Sequence, residues 1–141
     1  MKVLIVEDEP PIADYIERCA WSLLADKIEE ITVLYTLEDA VDYLGENDID
    51  LCLLDLNLSG ADGYDLLNQA AASPFATIII SAYSEKAVTA FEYDVIDFIP
   101  KPFNLSRLQK ALEKFYRTTE KNQSPAYLTS RTGRKNFLIA L

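Results

Sequence analysis

Acidic side chains stand where two short apolar runs of the sequence end. The run from Lys2 to Val6 leads into Glu7 and Asp8, and the run from Leu51 to Leu54 leads into Asp55. Carboxylates that share a small cleft repel one another strongly at low effective dielectric unless a cation or a proton is supplied. Mg²⁺ prefers carboxylate oxygens and water as ligands. The three acids are therefore a candidate Mg²⁺ site.

A carboxylate beside such a metal can act as the nucleophile toward a phosphoryl group, because aspartyl phosphates are established covalent intermediates. Asp55 is the central candidate for this role. Two later apolar runs lead into Ser81 and Lys101. A hydroxyl and an ammonium at those positions can hold the remaining phosphoryl oxygens. The pattern predicts phosphoryl transfer with Asp55, Ser81 and Lys101 as catalytic residues.

The elements that must position these residues follow from the hydrophobic pattern. Five apolar runs are too short to be helices and are predicted as strands, alternating with stretches of helical period. The strands are expected at 2–6, 31–35, 51–54, 77–80 and 95–99; the helices begin after Pro10 and Pro11 and at 37–44, 64–72, 85–93 and 105–116. This alternation predicts an α/β fold, a doubly wound parallel sheet covered by five helices, with ligands beyond the carboxyl ends of the strands.

Composition limits the chemistry that is available. The 141 residues contain no histidine, which excludes Ser-His-Asp and Cys-His nucleophile schemes and favours an oxygen-bound metal. Cys19 and Cys52 lie in apolar stretches without metal-ligand spacing, so they are expected to be buried free thiols. The chain has neither a long uncharged apolar run nor a signal-peptide pattern, so a cytoplasmic protein without membrane association is expected.

Charge is unevenly distributed along the chain. Residues 1–118 hold 9 basic and 22 acidic residues, whereas residues 119–141 hold 4 basic and 1 acidic residue. Phosphate contacts need local positive charge, so nonspecific DNA binding by the acidic part is disfavoured.

Four segments together resemble the receiver domain of bacterial two-component response regulators, the CheY-like family. They are residues 3–10 (VLIVEDEP), 54–63 (LDLNLSGADG), 81–82 (SA) and 97–103 (DFIPKPF). The resemblance covers about 118 of the 141 residues, and each segment alone is a weak signal. It implies a flavodoxin-like sheet of five parallel strands in the order 2-1-3-4-5.

The resemblance also assigns a role to each matching position. Two departures from the family pattern stand out: Glu7 replaces a commoner aspartate, and Ser59 replaces a frequent proline. Asn57 and Tyr83 flank the pocket and are expected to tune the lifetime of the phosphoryl group. The implied roles are Glu7 and Asp8 as the metal-binding pair, Asp55 as metal ligand and phosphoacceptor, Asn57 as a main-chain metal ligand, Ser81 as switch hydroxyl, Phe98 as rotating aromatic, and Lys101, before a cis proline, as phosphate contact.

The implied function is a Mg²⁺-dependent signalling switch, which catalyses only its own phosphorylation and dephosphorylation. By resemblance, a sensor histidine kinase supplies the phosphoryl group, Ser81 moves toward it, and Phe98 turns inward. The face formed by the fourth helix, fifth strand and fifth helix is then remodelled. A homodimer through that face on phosphorylation is a further partner that the resemblance allows.

The tail resembles the beginning of a second domain. Three segments are similar to regulators of the LytR/AlgR type, in which a β-rich DNA-binding domain follows the receiver: residues 91–98 (FEYDVIDF), 101–103 (KPF) and 126–141 (AYLTSRTGRKNFLIAL). The predicted organisation is a receiver at 1–118, a linker at 119–125, and a hairpin or truncated DNA-binding domain at 126–141. Transcription is the expected output of a longer protein, with DNA bound through a domain largely missing here, and the end at Leu141 is interpreted as a truncation.

The sequence also allows two other functional interpretations. A pseudo-receiver would keep the fold as a phosphorylation-independent interaction module. A Mg²⁺-dependent phosphohydrolase would use Asp55 as nucleophile, although such enzymes commonly carry a second aspartate where this chain has Asn57. Taken singly, Asp55 could be a turn residue, Lys101 a surface residue and Phe98 a core residue. Their joint occurrence at strand exits favours the receiver.

Overall fold

The computed structural model describes residues 1–58, 61–62, 64–71 and 74–122. Strands and helices alternate along these residues as the hydrophobic pattern predicts. The strands are β1 (Lys2–Val6), β2 (Glu30–Leu34), β3 (Leu51–Leu54), β4 (Asn57–Leu58), β5 (Ala61–Asp62), β6 (Ala76–Ser81) and β7 (Asp97–Pro100). The helices are α1 (Pro10–Leu24), α2 (Leu37–Glu46), α3 (Tyr64–Ala71), α4 (Ala87–Phe91) and α5 (Leu105–Asn122), with 3₁₀ turns at Ala25–Lys27 and Ser84–Lys86.

The main sheet has the order β2-β1-β3-β6-β7, and all its neighbouring strands are parallel. This is the doubly wound order that the resemblance implied, so the predicted fold class is confirmed. A separate antiparallel pair, β4 with β5, was not predicted. It lies directly after Asp55, where the short chain segment folds back before α3.

Alternate residues of each main strand face two different cores. One core lies between the sheet and helices α1 and α5; it includes Ile5 and Leu53 of the sheet and Leu108 of α5. The other core lies between the sheet and helices α2, α3 and α4 and includes Leu54 and Phe98. Strands buried on both faces are expected to be continuously apolar, as β3 and the last four residues of β1 are.

The ends of the strands and of helices α2, α3 and α4 differ from the sequence prediction by at most two residues, and the end of α5 differs by more. The predicted helix at 85–93 is shortened to α4, and Asp94 follows with a φ of 64°. That left-handed conformation ends a helix and is tolerated by aspartate better than by most residues. The stretch before α4 forms a 3₁₀ turn instead of a full helical turn.

Helix α5 continues to Asn122, through residues 119–122 of the predicted linker. Loss of the apolar period after Thr118 was a poor guide to the helix end, because main-chain hydrogen bonds can continue a helix beyond its apolar face. The remaining linker residues 123–125, the predicted tail at 126–141 and the substituted loop residue Ser59 lie outside the described residues.

Within the described part of the chain, no helix is both long and apolar enough to cross a membrane. Both cysteines are free and buried, as expected, and burial raises the pKa of Cys52 to about 12. The peptide bond between Lys101 and Pro102 is cis, also as expected.

Candidate functional site

Main-chain hydrogen bonds extend the parallel ladder just beyond the strands and position the site residues. The N–H of Glu7 donates to the carbonyl of Leu34 at 3.1 Å, and the N–H of Asp55 donates to the carbonyl of Val6 at 2.9 Å. Asp55 is therefore held beside β1, the strand that leads into Glu7. This local order follows from strand pairing, in which Val6 lies opposite Leu54.

The far side of the pocket is held in the same way. The N–H of Lys101 donates to the carbonyl of Ser81 at 2.9 Å, so the exits of β7 and β6 are tied together. All three hydrogen bonds lie at the carboxyl edge of the sheet, where ligands of doubly wound folds bind.

Three acids meet at this edge. Glu7, Asp8 and Asp55 each offer a carboxylate oxygen, and these oxygens lie within 4.8 Å of one another. Glu7 is 1% exposed and Asp55 is 5% exposed. Two buried carboxylates at this separation need a cation or a proton, because their repulsion is poorly screened away from water.

The Lys101 ammonium supplies one positive charge to the pocket. Its Nζ donates to Glu7 Oε1 at 2.6 Å and to Asp55 Oδ2 at 3.0 Å. The Lys101 side chain is 12% exposed, so these ion pairs are not ordinary surface contacts. The Lys101 ammonium thus contacts two buried carboxylates of the cluster, Glu7 and Asp55, and the group of three converging acids suits a divalent cation.

The pKa values of this cluster reflect its crowding. Burial raises the pKa of Glu7 to about 7; the hydrogen bond from Lys101 lowers it, and the charge of Asp55 raises it further. Burial alone would lower the pKa of Lys101, yet the hydrogen bonds to Glu7 and Asp55 hold it above its ordinary value. Lys101 is therefore charged at neutral pH, while Glu7 is poised to exchange a proton for a metal ion.

The second oxygen of Asp55 is held by the loop that follows it. Asp55 Oδ1 accepts a hydrogen bond from the N–H of Asn57 at 3.0 Å. The Asn57 side chain in turn donates from Nδ2 to the Tyr83 hydroxyl at 3.2 Å, and the Tyr83 N–H donates to Ser81 Oγ at 3.2 Å. A short chain of contacts thus joins the aspartate to the hydroxyl on β6.

The two residues assigned to the switch are both buried. Ser81 is fully buried, and Phe98 is 6% exposed and packs in the core between the sheet and helices α2, α3 and α4. Phe98 lies in register with Ile79 on β6, two residues before Ser81. The aromatic side chain is thus turned inward in this structure.

The structure brings Glu7, Asp8, Asp55 and Lys101 into one cluster and places Asn57 and Ser81 at its border. The contact between Lys101 and Glu7 was not predicted, because the lysine was assigned only to the phosphate. The acidic donors fit Mg²⁺: all are oxygens, and three of them converge from two neighbouring strand exits. The predicted use of the Asn57 carbonyl as a ligand stays a prediction.

Sequence reasoning missed one polar cluster altogether. Asp97 on β7 is 2% exposed and pairs with Arg107 and Lys114 of α5. Burial would raise its pKa, but hydrogen bonds from Arg107, the Phe98 N–H and Lys114 hold the pKa of Asp97 below its ordinary value. An acid inside an apolar strand, with two basic residues seven apart on the next helix, was the available signal.

Comparison with known protein families gives a match over most of the chain. A model described as the response regulator receiver domain matches residues 3–113. The transcriptional regulatory protein YpdB of Escherichia coli K12 is 32% identical over the whole chain, and the sensory transduction protein LytT of Bacillus subtilis is 35% identical over 82% of the chain. The chain spans 58% of the first protein and 48% of the second, about half the length of these relatives.

Solved structures give the same picture of the fold. The response regulatory domain of MrkE from Klebsiella pneumoniae superposes with a TM-score of 0.77 at 29% identity, covering 86% of this chain and 99% of that domain. A CheY-like receiver domain from Methanospirillum hungatei gives a TM-score of 0.72 at 23% identity, with 85% and 97% coverage. The described strands and helices are those of a receiver-like fold.

Proposed function

Because the chain belongs to the family of response regulator receiver domains, we propose that it accepts a phosphoryl group on Asp55 and thereby switches a regulatory output. The observation that carries the proposal is the position of Asp55. Its carboxylate is 5% exposed, lies within 4.8 Å of the Glu7 and Asp8 oxygens, and receives the Lys101 ammonium at 3.0 Å. The donor is the phosphohistidine of a sensor histidine kinase.

In the transfer step, a carboxylate oxygen of Asp55 attacks phosphorus. The new O–P bond forms as the P–N bond to the kinase imidazole breaks, and the imidazole leaves with its nitrogen lone pair and takes up a proton. Glu7, Asp8, Asp55 and the Asn57 main-chain carbonyl would hold a Mg²⁺ ion, which would neutralise charge on the phosphoryl oxygens. The chain positions the acceptor and provides charge, which accounts for most of the catalysis in phosphoryl transfer.

Lys101 exchanges partners during this step. Its ammonium contacts Glu7 and Asp55 before transfer. It moves to a phosphoryl oxygen once the Asp55 carboxylate has become an acyl phosphate and has lost its own charge. The Ser81 hydroxyl donates a hydrogen bond to a second phosphoryl oxygen, since Ser81 lies at the end of the neighbouring strand β6. Ser81 and Phe98 then shift together as a two-state element that the new charge biases.

The output lies in a longer protein. The relatives named as transcriptional or sensory transduction proteins are about twice the length of this chain, and the tail resembles the start of a LytR/AlgR-type DNA-binding domain. We assign transcription regulation to that longer protein, with a homodimer as the phosphorylated form. The phosphorylation-dependent face is formed by α4, β7 and α5.

Intact-mass spectrometry with acetyl phosphate tests the proposal. Wild type incubated with Mg²⁺ is expected to gain the mass of one phosphoryl group, and the gain is expected to disappear with EDTA. Asp55→Ala is expected to remain unlabelled, whereas Asp42→Ala, which alters an exposed acid on α2, keeps the wild-type gain.

Three results would contradict the proposal. An unlabelled wild type supports the pseudo-receiver reading, and labelled Asp55→Ala places the acceptor elsewhere. Sustained turnover of a phosphomonoester that is lost in Asp55→Asn supports the phosphohydrolase reading.

A further inference from the structure

An ion-pair cluster around the buried carboxylate of Asp97 lies outside the acidic pocket, between β7 and α5. Asp97 is 2% exposed, and its Oδ2 accepts from Arg107 Nη1 at 2.8 Å. Lys114 Nζ lies 3.2 Å from the other oxygen, Oδ1. Arg107 and Lys114 are seven residues apart on α5, so both project toward the same stretch of β7. Neither residue takes part in the phosphoryl transfer proposed above.

The same cluster holds both main-chain polar groups of Phe98. The Phe98 N–H donates to Asp97 Oδ1 at 2.8 Å, and the Phe98 carbonyl accepts from Arg107 Nη2 at 3.1 Å. β7 is an edge strand paired only with β6 among the described strands. Side chains of the strand and of α5 therefore satisfy the peptide groups that a further strand would otherwise satisfy.

The Arg107 guanidinium thus contacts both a carboxylate and a main-chain carbonyl. One nitrogen bonds the Asp97 carboxylate, and the other bonds the carbonyl of Phe98, the residue assigned to the rotating aromatic. A guanidinium is a rigid planar fork, so the two bonds cannot change independently. Any movement of the Phe98 main chain changes the position of Arg107 or breaks one of the bonds.

Helix α5 is packed so tightly against the sheet that a displacement at Arg107 is expected to move the whole helix. Leu108, beside Arg107, is fully buried against the sheet, and Leu112 and Phe115 are almost fully buried on the same helix. Packed cores resist gradual deformation, so a displaced contact shifts a helix between discrete arrangements. At the other end of β7, the Lys101 N–H donates to the Ser81 carbonyl, which links the strand to the pocket.

We propose that Arg107 is a positioning residue that couples the strand bearing Phe98 to helix α5, so that phosphorylation of the pocket is transmitted to α5 through the Asp97–Arg107–Phe98 contacts. This inference rests on the proposed function, because it needs the pocket to change state. The coupling acts through geometry: the charge of residue 107 is insufficient without the second bond to the Phe98 carbonyl.

NMR of the full chain with Mg²⁺ and beryllofluoride, a stable mimic of the phosphoryl group, tests the coupling. In wild type, amide signals are expected to shift both in the pocket, at Asn57 and Tyr83, and along α5. In Arg107→Gln and Arg107→Lys the pocket shifts are expected to remain, while the α5 shifts are lost. Arg107→Lys keeps the charge but has no fork, and Arg117→Gln, an exposed arginine of α5, is expected to respond as wild type.

Each other outcome overturns the inference. Full α5 shifts in both Arg107 variants show that coupling takes another route and leave the proposed function intact. Full α5 shifts in Arg107→Lys alone show that charge suffices, and loss of the α5 shifts in Arg117→Gln shows that Arg107 has no special part. Absent pocket shifts in wild type defeat the proposed function and the inference with it. If Arg107→Gln does not fold, Arg107→Lys decides.

Discussion

Lys101 is the residue on which the charge of the pocket depends. Its ammonium is shared by two buried carboxylates, and the proposed mechanism later transfers this contact to a phosphoryl oxygen. The lysine therefore competes with a metal ion for the carboxylates in one state and assists the phosphoryl group in the other. A substitution of Lys101 is therefore expected to affect Mg²⁺ affinity and the rate of phosphoryl transfer differently.

Lys101→Gln is expected to keep or increase Mg²⁺ affinity while slowing labelling by acetyl phosphate about 10²-fold, the usual effect of removing one donor from a developing anion. Mg²⁺ titration by calorimetry gives the affinity, and time-resolved intact mass gives the rate. Lys110→Gln, an exposed lysine of α5, is the matched control. A parallel fall in affinity and rate in Lys101→Gln would show that the lysine serves only to build the pocket.

Glu7 makes stability depend on pH in the metal-free protein. Burial raises its folded pKa from 4.5 to about 7, so the favourable contribution of its protonated form is fully present below the unfolded value. It is lost as pH rises through about 7. The whole contribution is on the order of 3 kcal/mol, since one pKa unit corresponds to about 1.4 kcal/mol.

Urea unfolding in EDTA, measured between pH 4.5 and a pH above the folded pKa of about 7, tests the contribution of Glu7 to the free energy of unfolding. The stability of Glu7→Gln relative to wild type is expected to rise with pH, because the amide cannot ionise. Glu46→Gln, at the exposed end of α2, is expected to follow wild type. Parallel profiles for wild type and Glu7→Gln would refute the assignment.

Tyr83 is expected to lengthen the life of the phosphoryl group. Its hydroxyl accepts from Asn57 at 3.2 Å, joining the two sides of the pocket mouth and hindering water. Tyr83→Phe is expected to speed loss of the label by about fivefold, because a hydrogen bond contributes about 1 kcal/mol net and about 1.4 kcal/mol corresponds to tenfold in rate. Decay of the intact-mass label measures this, and Tyr43→Phe, which removes a hydroxyl bonded to Thr32 instead, is the control. An unchanged lifetime in Tyr83→Phe would leave the contact without this function.

At the scale of the elements, α5 joins the sheet to whatever follows the receiver. Its buried residues anchor it against β7 and α1, while Arg107 and Lys114 pair with the strand. Helix α4, in contrast, has only five residues and exposes Val88 and Phe91. The stable half of the α4–β7–α5 face is therefore α5.

Leu108→Ala is expected to lower the free energy of unfolding by about 2–5 kcal/mol, because it removes a fully buried side chain and leaves a cavity. Lys110→Ala, two residues along on the exposed side, is expected to change it by less than about 0.5 kcal/mol. Urea denaturation monitored by circular dichroism compares the two. Equal effects would mean that α5 is not anchored through this side chain.

At the scale of the whole molecule, the last described element, α5, ends at Asn122. Residues 1–122 include the sheet, the helices and every side chain of the proposed site. The proposal therefore predicts that this part of the chain folds and is phosphorylated without residues 123–141.

A chain ending at Asn122 is expected to unfold at nearly the same temperature as the full chain and to label at the same Mg²⁺-dependent rate. Thermal unfolding and intact mass after acetyl phosphate compare the two chains, with Asp55→Ala in the shorter chain as the unlabelled control. A shorter chain that folds but does not label would show that the last residues contribute to the site.

The sequence by itself determined the strand runs, the acids at their exits and the fold class. Val3 to Val6 and Leu51 to Leu54 are apolar throughout because both faces of those strands are covered, and that signal is local. Since right-handed crossovers leave few topologies, the convergence of Glu7 and Asp55 at one edge could be predicted from their places after the strands.

Only the tertiary structure decided which side chains meet across long separations. The contacts of Lys101 with Glu7, of Asn57 with Tyr83 and of Arg107 with Phe98 depend on strand register, helix placement and rotamers. The local hydrophobic pattern does not specify strand register, helix placement or rotamers. The length of α4 and the end of α5 escaped prediction for a related reason: helix ends depend on capping and on neighbouring elements as much as on apolar period.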